Sequence, residues 1–166
     1  MKSFILLITS LFILSSCSNE KVKIDETVKV NEENWEESAT LVREVVVTDD
    51  GQIGDFIFHI GNNGRLGFGE YGPFIAGETQ KYMWHFWDNK ASLTKPFKVI
   101  GVSKETGEEI MVIKKPANSN LSPKTGPDNP HLVPSSMKLP TPGLWRLEVY
   151  FGEEIFGNVV VNVEDK

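Results

Sequence analysis

From Trp35 onward, apolar residues come in short runs separated by Gly, Asn, Asp and Pro. No window of a dozen residues keeps a helical period. The best helical stretch, residues 34–42, is short and runs into the β-branched Val45, Val46 and Val47. Strand signals are stronger. Residues 41–48 make one run and end at Asp49-Asp50-Gly51, a turn signal. Residues 53–60 alternate, with Phe56, Phe58 and Ile60 on one face and Asp55, Ile57 and His59 on the other. Gly61-Asn62-Asn63-Gly64 follows as a second turn. Residues 81–88 are the aromatic centre. Alternation sets Tyr82, Trp84 and Phe86 on one face and Met83, His85 and Trp87 on the other, the signature of an interior strand. Residues 97–102 and 109–113 read as a hairpin around Gly107. Residues 144–151 and 156–163 form the clearest hairpin. Trp145, Leu147, Val149 and Phe151 point inward, as do Val159, Val161 and Val163.

Two stretches break this pattern. Residues 65–73 carry three glycines and end in Pro73. A phosphate-binding loop needs a strand before it and a helix after it, and nothing helical follows. Glycines here point to bends and close backbone approach. Residues 116–142 hold seven of the nine prolines. Proline fixes φ and removes a donor, so a central strand is excluded and a loop of about 25 residues is expected.

The N-terminal part has a different pattern. Met1-Lys2 precedes an apolar run over residues 4–14, about the length of a secretory signal core and too short to span a bilayer. Small residues follow, and then Cys17, the one cysteine of the chain. The order Leu14-Ser15-Ser16-Cys17 resembles the lipobox of bacterial lipoproteins. That resemblance implies a diacylglyceryl group on Cys17 and cleavage just before it. Residues 1–16 are then a signal peptide. Residues 17–34, crowded with charges and lacking aromatics, form a flexible tether. An edge strand is the competing expectation for the tether, since Val22, Ile24, Val28 and Val30 recur at even positions.

Composition narrows the partners. The chain has 17 basic and 23 acidic residues. Residues 1–16 carry only Lys2, so their loss leaves 16 basic against 23 acidic. Nucleic acid is excluded as a partner, because phosphate contacts need Lys and Arg clusters. With Cys17 modified no internal disulfide remains, and residues 35–166 must build one domain on an apolar core.

Pro142-Gly143-Leu144-Trp145-Arg146-Leu147-Glu148-Val149-Tyr150 and the strand that ends at Val163 resemble the last two strands of bacterial immunoglobulin-like extracytoplasmic domains. The whole of residues 35–163 also resembles an uncharacterised lipoprotein family of spore-forming Gram-positive bacteria. That resemblance is carried by Pro73-Phe74-Ile75-Ala76-Gly77, Lys81-Tyr82-Met83-Trp84-His85-Phe86-Trp87 and Gly143-Leu144-Trp145-Arg146-Leu147. It implies fold and location but no activity. The expectation is an all-β, immunoglobulin-like antiparallel sandwich of seven or eight strands over residues 35–166. It would sit on the extracytoplasmic face of the cell membrane, anchored in the lipid bilayer through Cys17.

Chemistry is sparse. His59, His85 and His131 sit at no ligand spacing, and no second cysteine is present for zinc. A metal held by His59 and His85 with Asp55 or Glu70 needs those histidines to meet across neighbouring strands. Gly-x-Ser-x-Gly is absent, and the acidic pairs fall in turns or charged stretches. The expectation is therefore no enzyme, no cofactor and no metal. The function expected is a binding module for an envelope protein or polysaccharide. Its candidate surface takes in Tyr71, Trp87 and His131, with the loops of residues 61–74 and 116–142. The competing expectations are a carbohydrate or peptidoglycan binder working through exposed aromatics, and a metal-binding protein or hydrolase.

Overall fold

The computed structural model describes residues 35–46, 49–70, 72–88, 93–116 and 129–166. Ten strands run through them: β1 (Thr40–Val46), β2 (Ile53–Ile60), β3 (Leu66–Glu70), β4 (Phe74–Ile75), β5 (Gln80–Phe86), β6 (Phe97–Ser103), β7 (Glu109–Lys115), β8 (His131–Met137), β9 (Gly143–Phe151) and β10 (Glu154–Glu164). They form two five-stranded sheets, ordered β1-β2-β3-β5-β8 and β4-β10-β9-β6-β7. Within the sheets only β4 runs parallel to its neighbour, β10. The architecture is all-β and sandwich-like.

All seven runs expected as strands are strands. The count of seven or eight becomes ten because three more lie where glycine and proline argued against them. β4 is a two-residue strand at Phe74. β3 occupies the glycine-rich piece, and β8 fills part of the proline-rich stretch expected to be a loop. Pro134 is tolerated there because β8 ends its sheet, where a missing backbone N–H does least harm. Residues 35–39 are irregular, not helical, and lead straight into β1.

The core lies between the inner faces. Tyr82, Trp84 and Phe86 of β5 are buried, as are Val133 and Met137 of β8. They meet Trp145, Leu147, Val149 and Phe151 of β9 and Val159, Val161 and Val163 of β10. Aromatic contacts fill the middle: Phe68 to Trp84 at 4.7 Å, Phe74 stacked on Tyr82 at 4.8 Å, and Phe86 against Phe151 at 5.1 Å. The two buried indoles have acceptors. Trp84 Nε1 donates to Ser135 Oγ at 3.1 Å, and Trp145 Nε1 to the Thr141 carbonyl at 2.9 Å. A buried donor without a partner costs about 1–3 kcal/mol, so both bonds help to fix the fold.

β3 explains the glycines. Its odd positions face outward, and there Gly67 and Gly69 leave room for rings reaching over from β2. A Cβ on Gly67 would stand 2.5 Å from the His59 carbonyl and from the Phe58 ring. One on Gly69 would stand 2.5 Å from the Phe56 ring. Phe56 and Phe58 therefore lie half-buried on the outside of the sheet, and Asp55, Ile57 and His59 turn to the inside. The alternation in β2 is as the sequence reads, but its more polar face is the inner one.

Two clamps tie the sheets. The turn after β2 bonds to β10: Asn62 N donates to the Asn158 carbonyl at 3.0 Å, and Asn158 N to Asn62 Oδ1 at 2.9 Å. Ahead of β1, Ser38 N donates to the Val160 carbonyl and Val160 N to Ser38 Oγ, both at 2.9 Å. Beside this clamp the Arg146 guanidinium lies over the Trp35 ring, 4.7 Å from its centroid.

Candidate functional site

β1 and the start of β2 extend beyond the cover of the second sheet. Val42, Val46 and Ile53, all on the inner side, are 60%, 69% and 67% exposed. Between this overhang and the β4–β10 edge lies a cleft of about 700 Å³. Thr40, Val42, Asp55, Ile57 and His59 supply one wall, and Phe74, Asn162 and Glu164 the other. Glu37, Glu70, Gly72 and Pro73 also border it.

The cleft is acidic. Among the described residues Glu37, Asp55, Glu70 and Glu164 line it, and no Lys or Arg does. His59 Nε2 and Glu70 Oε2 are 2.5 Å apart, and both side chains are nearly closed to solvent. His59 also stacks on Phe68 at 5.0 Å. Its other nitrogen, Nδ1, is buried without a hydrogen-bond partner. Glu70 acts on Tyr82 as well: burial first, and then this carboxylate, push the phenol well above its ordinary range. At the rim a second acidic pair appears. Glu44 stands directly opposite Asp55 across β1 and β2, and neither has an ion-pair partner among the described residues.

The opposite, outer side of the same sheet carries an aromatic ledge. Phe58 meets His85 at 5.0 Å and Trp87 at 6.0 Å, and His85 stacks on Trp87 at 5.9 Å. Trp87 and Met83 are each 36% exposed. Burial holds the His85 imidazole below its ordinary range, against an opposing pull from the Met83 carbonyl.

The residues singled out from sequence scatter across this geometry. His59 faces the cleft and His85 the outer ledge, so the sheet separates them. The metal-site expectation that joined them is overturned. No group of three or more potential ligands lies close enough to hold a metal among the described residues. Trp87 is on the ledge, whereas His131, the first residue of β8, is buried at 4% exposure and presents no surface. Tyr71, Cys17 and the tether fall outside the described residues. The turn at residues 61–64 is spent on β10, which leaves it little freedom as a binding loop. Sequence reasoning missed the pairing of Glu44 with Asp55 and of His59 with Glu70. Both follow from strand register, which apolar alternation alone does not give.

Comparison with known proteins places this geometry in a class. The family described as "Domain of unknown function (DUF4871)" matches residues 25–161, and the chain belongs to that family. The match begins inside the segment expected to be tether. Among solved structures, the chain is similar to the crystal structure of a Bacillus anthracis protein assigned as a lipoprotein. The TM-score is 0.56 at 20% identity, over 83% of this chain and 92% of that one. At that identity the likeness establishes the fold alone. No curated protein matches the chain.

Proposed function

We propose that this chain is an extracytoplasmic lipoprotein. A diacylglyceryl group on Cys17 holds it in the membrane, and its domain is a non-catalytic binding module for an envelope protein or other envelope component. The observation that carries the binding reading is the acidic cleft, where Val42, Ile57 and Phe74 lie among four carboxylates of which only Glu70, held by His59, has a basic partner among the described residues. His59 gives Nε2 to Glu70 and keeps Nδ1 buried, so it offers no free nitrogen to a substrate. That arrangement favours holding a ligand over transforming one. The anchor rests on Leu14-Ser15-Ser16-Cys17 after its apolar run. Two acyl chains hold firmly where one would not, since each buried methylene contributes about 0.8 kcal/mol. The immunoglobulin-like reading of the sandwich belongs to this proposal too. It is supported by the antiparallel run β6-β9-β10, which ends in the hairpin that carries the resemblance.

The test is detergent phase partition. The wild-type chain is expected in the detergent phase, and Cys17→Ala in the aqueous phase. A Cys17→Ala protein that stays with detergent refutes the anchor. A second reading, a carbohydrate binder, is favoured by the half-open Trp87 beside His85 and Phe58. Flat aromatic faces of this kind stack on sugar rings.

A further inference from the structure

Among the described residues β1 is an edge strand, and its ladder to β2 fixes which backbone groups face outward. Ile60 N donates to the Ala39 carbonyl, so Ala39 and Ile60 form a hydrogen-bonded pair. In an antiparallel ladder such pairs alternate with non-bonded ones. Leu41, Arg43 and Val45 therefore turn their backbone groups toward β2. Thr40, Val42, Glu44 and Val46 turn theirs to the free side. None of these four is a proline. β1 ends its sheet, so the row of N–H and C=O groups has no strand beside it among the described residues. Proteins commonly blunt such edges with proline, bulges or charged side chains. This edge has no proline or bulge, and its two charges are Arg43 on the outer face and Glu44 on the cleft side. It also exposes Leu41 and Val42, at 64% and 60%.

The charge along this edge is of one sign on the cleft side. Glu44 and Asp55 form one of the non-bonded pairs, the kind in which side chains stand closest. Like charges directly opposite destabilise a sheet. Among the described residues no cation relieves this pair, and Arg43 points to the other face. Beyond it the cleft continues with Glu37, Glu70 and Glu164.

Together these features define a partner. We propose that β1 receives an extended, cationic polypeptide segment as an added strand. Main-chain hydrogen bonds would form to Thr40, Val42, Glu44 and Val46. Alternate Lys or Arg side chains of the segment would point to the cleft side, toward Glu44 and Asp55. Its apolar residues, at the alternate positions, would turn to the outer side beside the exposed Leu41 and the half-buried Val45, while the aliphatic stems of the basic side chains run over Val42 and Val46. A new strand lies about 4.8 Å beyond β1, so a long basic side chain spans the distance to Glu44. Strand addition divides the work in this way: the backbone supplies affinity, and alternate side chains supply specificity. The inference rests on the binding-module reading and names the partner class of its cleft.

The experiment uses the full chain in detergent and two probes: a short peptide of alternating Lys and Val, and its Glu and Val counterpart. Amide NMR shifts on titration report site and affinity. The Lys peptide is expected to shift residues 40–46 and to bind on the order of tenfold or more tighter than the Glu peptide, with affinity falling as salt rises. Val42→Pro removes one outward N–H and leaves the ladder to β2 intact, so it should fold and lose the peptide. Glu44→Gln should weaken the Lys peptide and leave thermal stability equal or higher.

Equal binding of both peptides overturns the proposal, as do shifts confined to the Trp87 ledge. β1 shifts that depend on protein concentration without peptide would put a second copy on the edge and overturn it as well. If peptide fails but an envelope polysaccharide binds the ledge, strand addition is lost and the binding-module reading stands. If neither binds, both fall.

Discussion

Glu44 and Asp55 face each other across β1 and β2, with no cation paired to either among the described residues. Their register could have been counted from the sequence. The turn is centred between Asp49 and Asp50, and stepping outward residue by residue pairs Glu44 with Asp55. The His59–Glu70 contact was harder to foresee, because it needs β3, and the glycines of β3 read as a loop. Those glycines carry a residue-scale prediction. Gly67 is crowded by the His59 carbonyl as well as by the Phe58 ring, and backbone cannot step aside as a side chain can. Gly67→Ala should cost about 1–3 kcal/mol in denaturant unfolding. Wild-type stability in that variant would mean that Phe58 does not lie across β3.

At the scale of elements, alternation was legible wherever one face packs against a core. β2, β5, β9 and β10 all announce themselves that way. β3 and β8 do not, for opposite reasons. β3 has no side chains on its outer face at Gly67 and Gly69, and β8 carries a proline that most strands exclude. β8 still alternates: His131, Val133, Ser135 and Met137 are buried in turn, and residues between them are not. Proline counting hid that period. Its place in the core is fixed by Ser135, whose hydroxyl accepts from Trp84 Nε1. Ser135→Ala should lower stability by about 1–3 kcal/mol, because it leaves that indole N–H buried and unpaired. Thermal or denaturant melts would measure the loss. An unchanged melt would place β8 off the Trp84 indole.

For the whole molecule, stability should fall at high pH for a reason written in two phenols. Tyr150 donates to Glu148 at 2.8 Å. That hydrogen bond, then burial and nearby carboxylates, push its pKa up to about 12. Tyr82 is raised in the same direction by burial and Glu70. The folded state thus holds these protons more tightly than the unfolded chain does. Their stabilising contribution is complete below pH 10 and is lost as pH rises from there through about 12. Denaturant midpoints across that range should decline, and less steeply in Tyr150→Phe. An identical slope in the variant would remove Tyr150 as a cause. The clamp ahead of β1 has a mechanical consequence. Any tension arriving from the N-terminal side meets Trp35 on Arg146 and Ser38 on Val160 before it reaches β1. The load therefore passes into β9 and β10, interior strands of one five-stranded sheet, while β1, an edge strand of the other, stays slack. A pull on the chain ahead of Trp35 would strain those interior strands, and the β1 edge would keep its shape under force.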